Sequence, residues 1–199
     1  MKADASGAAP EVRSLVEAEV ERQVQALREE MDAKIAAVRA RTVDDAATIV
    51  VFSGDLDKAL TGFVLATGAA AAGLETSMFF TFWGLSVLRK KGAPGGPKSL
   101  AERILALMTP ASSEELGTSR MNYFGLGAVM LRKLMKDKGI ASLEELMALA
   151  RELDVKMIAC TMSMDAMGLR REELVDGLSF GGVATYMADA ARSRVTLLV

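Results

Sequence analysis

Residues 48–73 read Thr-Ile-Val-Val-Phe-Ser-Gly-Asp-Leu-Asp-Lys-Ala-Leu-Thr-Gly-Phe-Val-Leu-Ala-Thr-Gly-Ala-Ala-Ala-Ala-Gly. Thr48 to Phe52 is a β-branched run that predicts a strand, Ser53-Gly54-Asp55 a turn with a capping residue, and Leu56 to Ala72 a helix stopped by Gly73. A strand, a tight turn and a helix in that order form a βα unit, whose next strand lies parallel to its first. The same alternation continues downstream. Leu74 to Phe82 is a second strand and Leu85 to Lys91 a short helix, stopped by the Gly/Pro cluster of residues 92–97. Leu100 to Met108 is a helix, and the polar stretch Thr109 to Thr118 is placed at the surface as a flap. Met121 to Lys138 reads as a helix with basic last turns, closed by Gly139. Ser142 with Glu145 is a capping box opening Leu143 to Leu153. Val155 to Cys160 is the third strand, followed by two short helical turns, from Ser163 to Gly168 and from Arg171 to Val175. Leu178 to Phe180 is the fourth strand, Gly181-Gly182 the entry to helix Val183 to Ala191, and Val195 to Val199 the fifth strand. This pattern specifies an α/β fold: a three-layer α/β/α sandwich with a mainly parallel five-stranded sheet.

Upstream the texture differs. Residues 1–9 lack periodicity and read as a disordered lead-in. Residues 10–43 form an N-terminal amphipathic helix, with Val12, Val16, Val20, Val24, Leu27, Met31, Ile35 and Val38 recurring at steps of four and three between charged residues. So narrow a stripe on so long a helix is either a solvated spacer or, preferred here, an oligomerisation or docking arm. Residues 44–199 are the α/β domain. A length of 199 residues, 51% of them hydrophobic, suits one sizeable core plus such an accessory segment.

Composition removes several classes of function. Lys and Arg total 24 against 26 Asp and Glu, for a net charge of -2, so no bulk positive field attracts nucleic acid. The chain has no His and one Cys, Cys160. That leaves no Ser-His-Asp triad, no His-ligated metal, no disulfide within the chain and no Cys-rich cluster, so neither a metal nor a cofactor is expected. The 13 Met residues fall mostly at helical spacing and read as adaptable packing rather than soft-metal ligands. An unpaired Cys and a start without a signal-like apolar stretch point to the cytoplasm. The apolar segment from Ala59 to Leu88 is divided by Glu75 into uncharged runs of 16 and 13 residues. Both fall short of the ~20 residues that span a bilayer, so no stable membrane insertion is expected.

In parallel sheets ligands gather where strands end and helices begin. The candidates there are Ser53, Gly54 and Asp55 after strand one, Trp83 after strand two, Cys160, Thr161, Ser163 and Asp165 around the end of strand three, and Gly181 and Gly182 at the last helix entry. Cys160 has two readings. It is a small buried hydrophobe, or a thiol at the head of a short helix whose N–H groups favour the thiolate, with Asp165 opposing that anion if it lies close. A lone thiolate suits neither hydrolysis nor dithiol cycling, but it can accept a sulfur atom as a persulfide and pass it on. The turn at Ser53 lacks both dinucleotide-binding and Walker spacing, so a capping role is the plainer reading.

The segments Thr48–Lys58, Met78–Gly84 (Met-Phe-Phe-Thr-Phe-Trp-Gly), Met157–Gly168 (Met-Ile-Ala-Cys-Thr-Met-Ser-Met-Asp-Ala-Met-Gly) and Gly181–Tyr186 resemble the DsrE/DsrF/DsrH-like family, in its longer branch. The resemblance covers nearly all of residues 44–199. It implies an α/β/α sandwich, a homo-oligomer, and sulfur relay through a persulfide on Cys160, with rhodanese-like or TusA-like proteins as partners. Ser163 and Asp165 match the motif without an assigned role. The expectation is a cytoplasmic sulfur carrier or sulfurtransferase-type protein. The rivals are a non-catalytic oligomeric scaffold and a small-ligand or nucleotide-binding module, each with an inert Cys160.

Overall fold

The computed structural model describes residues 8–39, 44–92 and 99–199. The chain divides into two compact units, one ending at Val43 and the other spanning Asp44–Val199. The first holds helix α1 (Ala8–Arg39), which already includes Ala8 and Ala9; the rest of the expected lead-in, residues 1–7, lies outside the described residues. The second alternates strands and helices: β1 (Asp44–Val51), α2 (Leu56–Ala71), β2 (Glu75–Phe80), α3 (Leu100–Met108), α4 (Leu126–Asp137), α5 (Leu143–Glu152), β3 (Lys156–Cys160), α6 (Thr161–Met167), β4 (Ser179–Gly181), α7 (Val183–Ala190) and β5 (Ser193–Leu198).

The five strands form one parallel sheet in the order β4-β3-β2-β1-β5. Ile49 pairs with Met78 on one side and Leu197 on the other, Phe79 with Ile158, and Cys160 with Gly181. From β1 to β4 the chain steps always in one direction, and right-handed crossovers place the connecting helices on one face. There Ile49, Val51, Met78, Phe80, Met157 and Ala159 pack with Leu56, Ala59, Phe63 and Ala66 of α2 and Leu143, Leu146, Met147 and Ala150 of α5. From β4 to β5 the chain returns across the whole sheet, and the same handedness puts α7 on the opposite face. That face carries a second, smaller cluster: Phe79, Ile158 and Cys160, with Val50 and Tyr186 packed against it. The apolar segment from Ala59 is thus a helix buried on one face, a buried strand and a 3-10 turn, and among the described residues no helix is long and apolar enough to cross a membrane.

Several boundaries differ from expectation. The helix expected over Leu85 to Lys91 is a 3-10 segment over Phe82–Leu88, whose exit Arg89 bridges to Leu174. The stretch Thr109 to Thr118 is no surface flap throughout, since Leu116 is fully buried in the main core and Ser112 is also buried. The helix expected from Met121 starts at Leu126. Met121, Tyr123 and Phe124 have φ of 58°, 34° and 59°, and the Asn122 carbonyl accepts from the N–H groups of Gly125 and Gly127 at 2.7 and 3.2 Å. The Asn122 side chain also accepts from the Thr118 N–H, so local loop bonds outcompete the helical ladder. Of the Gly/Pro cluster, residues 93–97 lie outside the described residues.

Phe63 of α2 is fully buried with its ring 5.9 Å from that of Phe80 on β2, coupling helix to sheet at the centre of the main core. Phe63→Ala should lower unfolding free energy by about 3–5 kcal/mol, measured by denaturant titration.

Candidate functional site

The sheet reverses direction at β1, which has β2 on one side and β5 on the other. Such a reversal opens a crevice at the carboxyl ends of the strands, and a cleft of about 450 Å³ lies there. It is lined by Ser53, Gly54, Asp55 and Trp83, with Ser86, Leu105, Met108, Thr109, Pro110, Gly117, Thr118 and Asn122. The backbone comes close at its floor. The N–H of Gly84 donates to the Phe52 carbonyl at 3.1 Å, and a Cβ on Gly84 would lie 2.1 Å from the Val51 carbonyl oxygen. At Gly54 a Cβ would lie 2.8 Å from the Trp83 carbonyl oxygen.

The polar groups beside the cleft largely satisfy one another. The Ser53 hydroxyl donates to the Asp55 carboxylate at 2.8 Å and accepts from the Asp55 N–H at 3.2 Å. Lys58 pairs with Asp55 at 2.9 Å and reaches Ser53 Oγ at 3.4 Å. The first N–H of α2, on Leu56, donates to the Gly117 carbonyl at 2.7 Å, while Asp55 stands at the N-cap without a side-chain cap bond to the helix, unlike the capping role expected of this turn. Asp57 accepts from the Ser119 N–H at 2.8 Å and from its hydroxyl at 2.5 Å, tying the 117–122 loop to α2. Partial burial works to raise the Asp57 pKa, but the two Ser119 bonds, with its own backbone N–H and Lys58, hold it below the ordinary value of 3.8. Among the described residues, Thr118 Oγ1 is a buried side-chain oxygen at this cleft with no hydrogen-bond partner.

Cys160 ends β3 and stands as the N-cap residue of α6. It is fully buried. Its sulfur makes no cap hydrogen bond to the first turn of α6, unlike the arrangement expected of a thiol facing helix N–H groups. The reason is strand alternation: Cys160 lies two residues beyond Ile158 and joins the same face of the sheet, in the cluster under α7. There the Tyr186 ring lies 5.2 Å from that of Phe79. α7 has no buried residue of its own, so this half-buried aromatic is its main hold on the cluster.

The candidate residues therefore fall into two groups. Ser53, Gly54, Asp55 and Trp83 share the cleft; Cys160 is not among its lining residues. Thr161, Ser163 and Asp165 lie on α6, which begins at Thr161 rather than at Ser163. Ser163 is buried and its hydroxyl meets that of Thr81, just after β2, at 2.8 Å, while Asp165 is exposed. Gly181 pairs with Cys160 across the sheet, and Gly182 caps α7. Sequence reasoning missed Tyr186 and Phe79 as the groups around the sulfur, and Thr118 and Asn122 as cleft residues. The alternation in Phe79, Ile158 and Cys160 was a usable signal for the first pair once register was known. Among the described residues no group of three or more His, Cys, Asp or Glu is placed to hold a metal ion.

The DsrE/DsrF/DrsH-like family model matches residues 44–198. The chain is 41% identical over 152 residues to YrkE of Bacillus subtilis (strain 168), covering 76% of this chain and 95% of that protein. It is 36% identical over 159 residues to the sulfur carrier protein DsrE2 of Allochromatium vinosum, covering 76% and 96%. Among solved structures it is similar to the ychN protein from E. coli, with a TM-score of 0.45 and 10% identity over 77% of this chain and 99% of that one.

Gly84→Ala should separate the end of β1 from the 3-10 segment and destabilise the domain by about 1–3 kcal/mol, read by denaturant titration alongside loss of the native Trp83 fluorescence. Because the folded pKa of Asp57 is depressed, its contribution is present above pH 3.8 and is lost as pH falls through the folded value. The Tm difference between wild type and Asp57→Asn should accordingly shrink as pH is lowered from 6 towards 2, as followed by calorimetry.

Proposed function

Because the chain belongs to the DsrE/DsrF/DrsH-like family, we propose that it is a sulfur carrier whose only thiol, Cys160, accepts sulfane sulfur as a persulfide and yields it to an acceptor thiol. The observation that carries this reading is the position of Cys160 at the carboxyl end of β3, at the junction with α6, in a chain with no other Cys and no His. In the loading step the Cys160 thiolate attacks the terminal sulfur of a donor persulfide. A bond forms between Sγ and that sulfur, the donor's S–S bond breaks, and its electron pair leaves with the donor thiolate. Unloading is the same exchange with the acceptor thiolate as nucleophile. No external oxidant or reductant enters either step.

The buried sulfur requires an opening, and α7 is the element suited to move. A short helix without buried residues, held to the sheet through the Tyr186–Phe79 ring pair and the Asp189–Lys156 ion pair at 3.0 Å, belongs to the less stable part of a fold and opens before the strands beneath it. Donor and acceptor then reach the sulfur from the α7 side. Thiol-bearing proteins of rhodanese-like or TusA-like kind are the proposed partners, the working form is a homo-oligomer, and the proposed compartment is the cytoplasm. Complete burial of Cys160 favours the rival reading, a non-catalytic scaffold with an inert thiol.

Intact mass after incubation with a persulfide donor separates the two. The native chain should gain one sulfur atom and Cys160→Ser none; no gain in the native chain supports the scaffold. If α7 is the gate, Tyr186→Ala weakens an aromatic contact of ~0.5–1.5 kcal/mol and should speed native alkylation of Cys160 by iodoacetamide roughly two- to tenfold. An unchanged rate would assign access to another route.

A further inference from the structure

Helix α1 presents a repeat that the α/β domain does not explain. Val16, Leu27 and Val38 are spaced eleven residues apart, as are Val20 and Met31, and Val24 and Ile35. All seven are exposed, from 43% at Val24 to 61% at Val38. Eleven residues in three turns is about 3.67 per turn, close to the natural 3.6, so the stripe stays on one face of a nearly straight helix. Over residues 16–38 it runs about 35 Å.

Two features choose the occupant of that face. The first is symmetry. The stripe runs from Val12 to Val38 with Leu27 near its middle, and a second copy laid antiparallel about Leu27 sets Val16 against Val38. The second is charge. From residue 14 to residue 21 the helix bears Glu17, Glu19 and Glu21 and no cation. From residue 33 to residue 38 it bears Lys34 and no acid, and the sequence continues with Arg39 and Arg41 before the next acid at Asp44. Parallel pairing would place the three glutamates beside their own copies. Antiparallel pairing places them against the basic end.

We infer that α1 is a self-association helix, pairing with α1 of a second copy of this chain in an antiparallel, slightly right-handed coil whose two-fold axis passes through Leu27. The contact is isologous: the same apolar stripe serves both copies, and the charge polarity fixes its direction. This conclusion is independent of the chemistry of Cys160.

The test uses the full-length chain. Sedimentation equilibrium should give an assembly whose mass falls twofold in Leu27→Asp, with the circular dichroism and thermal transition of the α/β domain unchanged. An unchanged mass, or a wild type that is already monomeric, overturns the proposal. Direction is read in a Cys160→Ser background by mild oxidation. Leu27→Cys should give disulfide-linked dimers by itself. Val16→Cys and Val38→Cys should each remain unlinked alone and link to one another when mixed. Self-linking of Val16→Cys would instead establish a parallel pair and overturn the inferred orientation.

Discussion

A right-handed crossover returning over a parallel sheet is the constraint on which the rest of this domain depends. Four strands are laid down in one direction with their helices on one face, which fills that side with the main core. The single return from β4 to β5 then leaves the second face to the eight residues of α7. Cys160 belongs to that thinly covered face. Its burial and its proposed accessibility share one cause: the sulfur is enclosed by the sheet from below and by a single short helix without buried residues from above.

The same topology accounts for the separation of the polar cleft from the thiol. The crevice at β1 forms because the strand order reverses there, while Cys160 ends β3, with β2 between. Thr81 and Ser163 join the two regions through their hydroxyls across the end of β2, giving α6 a direct bond to the segment that also carries Trp83. The Ser53, Asp55 and Lys58 groups bond to one another, and the Leu56 N–H at the start of α2 donates to the Gly117 carbonyl. Thr118 Oγ1, buried in the same cleft, is the polar atom there without a partner among the described residues.

Much of the architecture was legible from periodicity. The β-branched run at Thr48, the capping box at Ser142 and the glycine stops at Gly73 and Gly139 each have a local physical cause and placed their elements within a few residues. The loop from Ser119 to Gly125 was not legible, because its φ values follow from bonds to Asn122 and Asp57 that no helical pattern announces. Strand order was also hidden: strand neighbours are fixed by the crossovers, which the residues of a short strand such as β3 do not reveal. Cys160 was found from its type and position. What the sequence reading could not supply was the direction of its side chain, which depends on register with Phe79 and turned the sulfur under α7 rather than towards the first turn of α6.

The most direct measurement follows labelled sulfur through the native chain: load from a donor persulfide carrying radioactive sulfane sulfur, digest, and assign the label by peptide before and after adding an acceptor thiol. The account predicts that label enters only the peptide containing Cys160 and leaves it completely on chase, without prior denaturation. Label that reaches Cys160 only after unfolding, or that stays there when the acceptor is added, would contradict it.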